Sequence, residues 1–578
     1  MDKNMTFQKI RIAEAIAQKI NTLLENADYD CKMVVELLEY PPDASMGDVA
    51  LPCFKLSRLF RRPPALIADQ LAEGLQIDGI SQIQSVNGYL NFFADRMAVS
   101  QTVLSDISKK GARYGGTDDG CGKTVVLDYS SPNVAKPFHI GHLGTTVIGH
   151  SLKKLFAFNG YHCIGINYLG DWGTQFGKLI VAYRKWGSKQ QIEQEGIDGL
   201  VSLYVRFHHE AEENQELENE ARAEFTKLEH GDEENLALWK WFIHISVEEY
   251  EKTYRQLGIE FDSWKGESFY TDKMPAVIEE LRQKNMMKID DGASIIDLSE
   301  YNMPPCLILK RDGSSLYPTR DIAAAIYRKN TYHFDKCVYV TSAGQSLHFA
   351  QWFKVIELMG YDWANELVHV PYGTVSINGA KLATRTGNVI LLRDLFDMAV
   401  EKVLEVMNEK NPDLENKQQV AQDVGVSAVI FYYLSNNRLK DINFVLEDAL
   451  SFEGNTGPYV QYTYARACSI LSKASDFKAF EAGDAGNVTV SGEEYELIKT
   501  LGLFPERVAA ALREYEPSII TRYILDVATA FNRFYHNEKI LGAENASERS
   551  FRIALTAATK TVLGNAFDLI CIKRTEKI

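Results

Sequence analysis

No run of 18 or more apolar residues occurs in this 578-residue sequence, which argues against a transmembrane helix. The opening Met1-Asp-Lys-Asn-Met-Thr-Phe-Gln-Lys lacks the apolar core of a secretory signal, so a cytoplasmic protein with no membrane partner is expected. Its eight cysteines (31, 53, 121, 163, 306, 337, 468 and 571) stand singly, with no Cys-x-x-Cys pair. That spacing reads as reduced thiols, against a disulfide framework or a zinc site, and no protein metal site is expected. Proline and glycine are not in excess, and no internal repeat is found.

What is present is the composition of a soluble globular protein, 46% hydrophobic and 24% charged. The length exceeds what one core supports, and roughly three to five domains are expected. The net charge of −16 argues mildly against a nucleic-acid partner, yet binding depends on local patches. Much of the acid is also local: six glutamates lie between Glu210 and Glu220, and the preferred reading is a solvated helix face.

Residues 1–115 read as a small α+β unit. Phe7, Ile10, Ile12, Ala13, Ile16 and Ile20 keep helical spacing, Pro64 lies at the entrance of a second helix, and Val86-Asn-Gly-Tyr leads into an aromatic strand. Tyr114-Gly-Gly-Thr-Asp-Asp-Gly-Cys-Gly reads as a flexible linker. Then Lys123–Ser130 is a strand, the pattern from Gly141 is helical, and Tyr161–Leu169 is another strand: the opening of a parallel α/β sheet. Residues ~178 to ~262 read as a helical insertion. Strand-like runs resume at 294–298, 305–309 and 336–340. Beyond ~395 the periodicity is helical, at 397–410, 418–437, 457–475, 492–514, 517–536 and 549–570, and a bundle is expected.

His139-Ile-Gly-His142 falls where the first strand of that sheet passes into a helix. A helix N-terminus offers unpaired N–H groups and partial positive charge, and Gly141 lets a nucleotide approach the backbone. Both histidines can donate to phosphoryl oxygens that gain charge as diphosphate leaves, and Lys136 adds a full charge to the same turn. With 12 His and 39 Gly in 578 residues, His-x-Gly-His is expected by chance about 0.02 times. Core or capping histidines are the alternative on the tetrapeptide alone.

The longer segment Ser131-Pro-Asn-Val-Ala-Lys-Pro-Phe-His-Ile-Gly-His142 resembles the arginyl-tRNA synthetase family, class I. So do Asn167-Tyr-Leu-Gly-Asp-Trp-Gly-Thr-Gln-Phe-Gly177, Leu316-Tyr-Pro-Thr-Arg-Asp-Ile-Ala-Ala-Ala325, Gln345-Ser-Leu-His-Phe-Ala-Gln351 and Asp448-Ala-Leu-Ser-Phe-Glu-Gly-Asn-Thr-Gly-Pro-Tyr-Val-Gln-Tyr462. These five ordered blocks cover essentially the whole chain. The resemblance implies a Rossmann-like parallel-sheet catalytic domain with an N-terminal α+β domain and an all-helical anticodon-binding bundle. It places a tRNA-elbow domain at 1–115, the catalytic domain at 116–372 with its insertion at about 178–300, a connector at 373–415 and the bundle at 416–578. It implies ATP and Mg²⁺, with L-arginine and tRNA(Arg) as partners, and a monomer.

The same resemblance assigns Lys136, His139 and His142 to catalysis, and Gly141, His142, Lys381, Thr384 and Arg385 to ATP. Two departures stand out. The family commonly has Arg-Ser-Thr where this chain has Gly144-Thr-Thr. The second class I signature, Lys-Met-Ser-Lys-Ser, is reduced to Lys381-Leu-Ala-Thr-Arg385, and Lys136 is the cation that compensates. A selective arginine pocket needs fixed carboxylates and a flat partner. Asp321 and Glu267 are the candidates, and each has an ordinary alternative as a helix cap or structural salt bridge. By resemblance they bind the guanidinium beside Tyr317, Asn133 and Gln345 hold the α-amino group, and His139 lies near the carboxylate. Tyr459 and Tyr462 share a helix face. They are expected to stack on anticodon bases, with a pair of core tyrosines as the alternative. A basic patch of Arg58, Arg61 and Arg62 faces the tRNA elbow or merely solvent. The alternative to an arginine-tRNA ligase is a tRNA-binding relative that has lost activity: Thr384 and Gly144 suggest it, and His139, His142, Lys136 and Asp321 oppose it.

Overall fold

Thr124–Asp128 (β1), His162–Ile166 (β2), Lys336–Ser342 (β3) and Leu367–Tyr372 (β4) form a four-stranded, wholly parallel sheet. The computed structural model describes residues 7–24, 27–311, 317–377, 379–381, 390–474, 480, 486 and 488–578. The strands lie in the order β4-β3-β1-β2. The chain thus leaves β1 for β2 on one side and later returns on the other, making a topological switch between β1 and β3. In open α/β sheets the ligand crevice lies at that point, beyond the carboxyl ends of the strands. Val125, Val126, Leu127, Val338 and Val340 are buried, as strands covered on both faces require.

Helix α1 (Leu143–Phe158) follows β1, α2 (Tyr317–Tyr332) precedes β3, and α3 (Ser346–Leu358) joins β3 to β4. Only the last of the three strand-like runs after the insertion enters this sheet. Ala293–Ile296 and Cys306–Leu309 pair with Met287–Asp290 in a separate antiparallel sheet. The acidic run is not wholly solvated: Lys178 binds Glu218 at 2.7 Å and Lys185 binds Glu220 at 2.9 Å.

The N-terminal unit has its helix at Phe7–Leu23, with Ile12, Ala13, Ile16 and Ile20 buried, and a hairpin of Ile80–Val86 with Tyr89–Ala94. The flexible linker expected at Tyr114 is instead clamped. Tyr114 is buried and donates to Leu501 O at 3.2 Å, while Asn565 donates to Tyr114 O at 3.2 Å. Gly115 has φ +96°, and a Cβ there would lie 2.4 Å from the Phe504 ring. This glycine therefore serves close packing. The helical part includes α4 (Lys417–Leu434) and α5 (Gly457–Ser472). The single helix expected over 492–514 is two, Gly492–Gly502 and Phe504–Glu514. Pro505, which has no N–H to continue the ladder, opens the second.

Candidate active site

Carboxyl ends of all four strands meet in a cavity of about 570 Å³ at the switch point, lined by residues that include Asp128, Tyr168, Val340 and Tyr372. Of the residues predicted from sequence, Asn133, His142, Glu267, Tyr317, Asp321 and Gln345 line it. A larger cavity of about 1140 Å³ separates the N-terminal unit from the bundle. It contains none of these residues.

The loop after β1 is held in an unusual path. Ser130, Ser131 and Ala135 have φ of 70°, 47° and 57°, a left-handed region that L-residues enter at a cost and that clusters at functional sites. Ser131 Oγ donates to Asp128 Oδ1 at 2.9 Å and accepts from Tyr168 N–H at 3.1 Å. Thr145 Oγ1 accepts from Ser130 N–H at 3.0 Å and donates to Val340 O at 2.7 Å.

His139 caps the turn into α1. Its Nδ1 accepts from Gly141 N–H at 3.0 Å, and His142 Nδ1 accepts from His139 N–H at 3.3 Å. Each Nδ1 thus bears no proton, and each neutral ring carries its proton on Nε2, free to donate. Burial, reinforced by Lys136, lowers His139 to about 4. Burial, then His139 and Lys136, takes His142 to about 3. Both rings are neutral donors at pH 7. Lys136, His139 and Gly141 lie outside the cavity lining, in the turn where Ile140 N–H binds Ile390 O at 3.3 Å and Leu392 N–H binds Phe138 O at 2.9 Å. The chain just after the second signature thus returns to the first. Of that signature Lys381 is described only in its backbone, paired with Ser376; Thr384 and Arg385 lie outside the described residues.

The helix-cap reading of Asp321 does not hold, because α2 begins four residues earlier, at Tyr317. Tyr317, Asp321, Ala324 and Arg328 form one face of α2 along the cavity. Asp321 Oδ2 lies 2.6 Å from His348 Nε2. A carboxylate only accepts, so Nε2 carries the proton. Glu267 Oε2 accepts from Arg320 Nη1 at 2.5 Å. The salt bridge offered as the ordinary alternative for Glu267 is therefore present. Among the described residues neither Oδ1 of Asp321 nor Oε1 of Glu267 has a hydrogen-bond partner. Tyr317 stands at the rim, 66% exposed.

The floor went unread in the sequence. Arg328 is wholly buried, with Nη2 2.8 Å from Asp128 Oδ2. Burial raises the Asp128 carboxyl, and Arg328 offsets this. The pair is close but not aligned as a hydrogen bond, and Arg328 Nε and Nη1, Tyr168 Oη and Tyr339 Oη are all without partners among the described residues. The available signal was the i, i+4, i+7, i+11 face running from Tyr317 through Asp321 to Arg328, with a charge at the end of an alanine-rich stripe.

Comparison with known proteins shows what the chain is similar to. The family described as "tRNA synthetases class I (R), catalytic domain" matches residues 103–446. "DALR anticodon binding domain" matches 460–578, and "Arginyl tRNA synthetase N terminal domain" matches 11–94. The arginine–tRNA ligase of Alkaliphilus metalliredigens is 51% identical over 566 residues, covering 98% of this chain and 99% of its own. The chain belongs to the arginyl-tRNA synthetase family. The arginine–tRNA ligase of Clostridium perfringens is 49% identical over 574 residues, 99% of this chain and 100% of that one. Among solved structures, the Thermus thermophilus arginyl-tRNA synthetase superposes with a TM-score of 0.83 at 25% identity, covering 98% and 99% of the two chains. That of Plasmodium falciparum shares the fold, with a TM-score of 0.81 at 23% identity over 99% and 100%. Among the described residues no helix is long and apolar enough to cross a membrane.

Beyond the catalytic unit, Tyr462 is 44% exposed on α5, with the Arg466 guanidinium 4.9 Å from its ring centroid. Tyr459 is half-buried, and its hydroxyl accepts from Asn532 at 2.9 Å. On the other side Arg466 lies 4.7 Å from the ring of Tyr535. Arg58, Arg61 and Arg62 are exposed on the N-terminal unit.

Proposed function

We propose that this chain is an arginine–tRNA ligase whose amino-acid pocket is the switch-point cavity. The observation that carries the reading is the pair Asp321 and Glu267, each with one carboxylate oxygen held by a neighbour and one without a partner among the described residues, beside the His139–His142 turn. A guanidinium presents paired N–H donors that match such oxygens. Asn133 and Gln345, both exposed on the same cavity, would take the α-amino group.

In the first step a carboxylate oxygen of arginine attacks the α-phosphorus of ATP, the bond to the β,γ unit breaks, and diphosphate leaves. The Nε2–H groups of His139 and His142, with Lys136, would stabilise the charge that develops there. In the second step a ribose hydroxyl at the tRNA 3′ end attacks the acyl carbon and AMP departs. Neither step needs a covalent enzyme intermediate; positioning and charge stabilisation supply the catalysis. Mg²⁺ would be carried largely by the triphosphate, its usual mode with nucleotides.

Residues 1–115 would contact the tRNA elbow through Arg58, Arg61 and Arg62, 373–415 would connect, and 416–578 would read the anticodon, with the chain a cytoplasmic monomer. Base stacking on an aromatic ring is worth ~1–3 kcal/mol, so Tyr462→Ala is expected to raise the Michaelis constant for tRNA(Arg) roughly 5- to 100-fold. The measurement is charging of tRNA variants altered in the anticodon loop. Equal losses on every tRNA would remove base reading from Tyr462.

Arginine-dependent ATP–diphosphate exchange, with and without tRNA(Arg), tests the activity itself. Exchange that requires arginine is the expected result. A chain that binds tRNA and exchanges nothing in either condition is the inactive relative.

A further inference from the structure

We propose that Arg320 is a positioning residue for amino-acid recognition: a resident guanidinium that keeps Glu267 oriented and favours its carboxylate form while the pocket awaits its cationic substrate. This rests on the reading of Glu267 as a substrate carboxylate.

The geometry places Arg320 behind the wall. Neighbouring residues on a helix point about 100° apart, so Asp321 faces the cavity and Arg320 does not line it. Arg320 and Glu267 side chains are 13% and 17% exposed, and Arg320 Nη1 meets Oε2 at 2.5 Å. Arg320 Nε is buried with no partner among the described residues. The guanidinium therefore stands beside the substrate position, and substrate need not displace it. Glu267 is pinned from its own side too: its N–H binds Leu169 O at 2.9 Å, while Ser268 N–H and Oγ donate to Asp171 at 2.8 and 2.6 Å. With backbone and one oxygen fixed, Oε1 has no partner among the described residues.

The electrostatics explain why a cation is needed. Glu267 shares a low-dielectric pocket with Asp321 and Arg320 from α2, and with Asp171 and Tyr168 from the segment after β2. Burial drives its carboxyl up, to about 7, with Asp321 and Asp171 pushing the same way and Arg320 opposing. Without Arg320 the carboxyl would be driven higher still, leaving less of it ionised when substrate arrives. The sign for binding follows. Arginine adds a second cation and favours the carboxylate, so its affinity falls as pH drops through about 7, and binding near that pH releases a proton from Glu267.

The test is calorimetric titration of the full-length protein with L-arginine, at pH 6.5 and 8.5, on wild type and the Glu267→Gln, Arg320→Gln and Arg320→Lys variants. ATP affinity is measured alongside to report an intact nucleotide site. Arg320→Gln is expected to weaken arginine binding several-fold at pH 6.5, up to the ~10-fold that is the most one pKa unit of lost ionisation can give. Most of that loss should return at pH 8.5, with ATP affinity unchanged. Arg320→Lys, which keeps the charge and loses the planar fork, should fall between. Glu267→Gln should be weak at both pH values. Arg320→Gln binding arginine as well as wild type at pH 6.5, or more tightly, while Glu267→Gln is impaired, overturns the proposal and makes Arg320 a spectator or an internal competitor. If Glu267→Gln binds arginine normally, Glu267 is not a substrate ligand, and the underlying reading fails with it. Should Arg320→Gln not fold, the pH profile of Arg320→Lys decides: arginine binding as tight as wild type at pH 6.5, with Glu267→Gln impaired, overturns the proposal.

Discussion

Asp321→Asn is expected to raise the Michaelis constant for arginine ~10- to 100-fold while leaving that for ATP within about 3-fold. The size follows from the loss of one charge-assisted hydrogen bond, ~1.5–3 kcal/mol, at about 1.4 kcal/mol per tenfold. The selectivity follows from place. Asp321 lies on the α2 face of the cavity, with His348 holding Oδ2, whereas the His139–His142 turn is built by a different loop. The amide is isosteric and can still accept through its oxygen, but it carries no charge and offers an N–H where the substrate also offers N–H. Steady-state charging with each substrate varied in turn makes the measurement. Equal losses for arginine and ATP would mean that Asp321 supports the fold of the cavity and does not select the amino acid.

The second large effect is expected at Gly144. Restoring the family's commoner arginine there looks, from sequence, like returning a cation to the phosphate site. The structure forecasts the reverse. A Cβ on Gly144 would lie 2.1 Å from Tyr433 Oη, 2.8 Å from Tyr433 Cζ and 3.2 Å from Tyr372 Cε2. Tyr433 is itself buried, on α4, so the hydroxyl cannot swing into solvent. Here α1 and α4 touch two residues past His142. Gly144→Ala is expected to cost ~1–3 kcal/mol for overpacking, offset by up to about 1 kcal/mol of helix propensity. Gly144→Arg should lower the thermal midpoint further and cut charging more than tenfold, since a shift of α1 moves both histidines. Pairing Gly144→Ala with Tyr433→Phe should recover part of the loss. Melting curves and turnover numbers of the three variants are the readout, and an arginine variant as stable and active as wild type would refute the steric account.

These two positions also show what could be read before the structure. Asp321 was legible because its neighbours Tyr317-Pro-Thr-Arg320 formed a recognisable block and because guanidinium chemistry demands an acid. Gly144 was legible only as a missing charge, since the tyrosine that fills its place is almost 300 residues away. The same holds for the clamped linker at Tyr114–Gly115, where glycine suggests freedom until Phe504 and Asn565 arrive from the bundle. Helices of the bundle were read from period alone, and the error at 492–514 came from letting that period run through Pro505. Strands at 294–298 and 305–309 were visible as strands, but alternation does not say which sheet a strand joins. Arg320 and His348 sat inside quoted motifs, yet their roles are pairings across 53 and 27 residues, and spacing along the chain carries no such information. Asp128 and Arg328 were hidden for the same reason: the ion pair is made only when β1 lies beside α2.

The most direct test of the account is a crystal structure of the full-length protein with a non-hydrolysable arginyl-adenylate analogue. The guanidinium is predicted to lie within hydrogen-bond distance of Asp321 Oδ1 and Glu267 Oε1, with Arg320 still on Oε2, Tyr317 beside the guanidinium plane, and the phosphoryl group within reach of His139 and His142 Nε2. A guanidinium bound away from both carboxylates, or an analogue lodged outside the switch-point cavity, would contradict it.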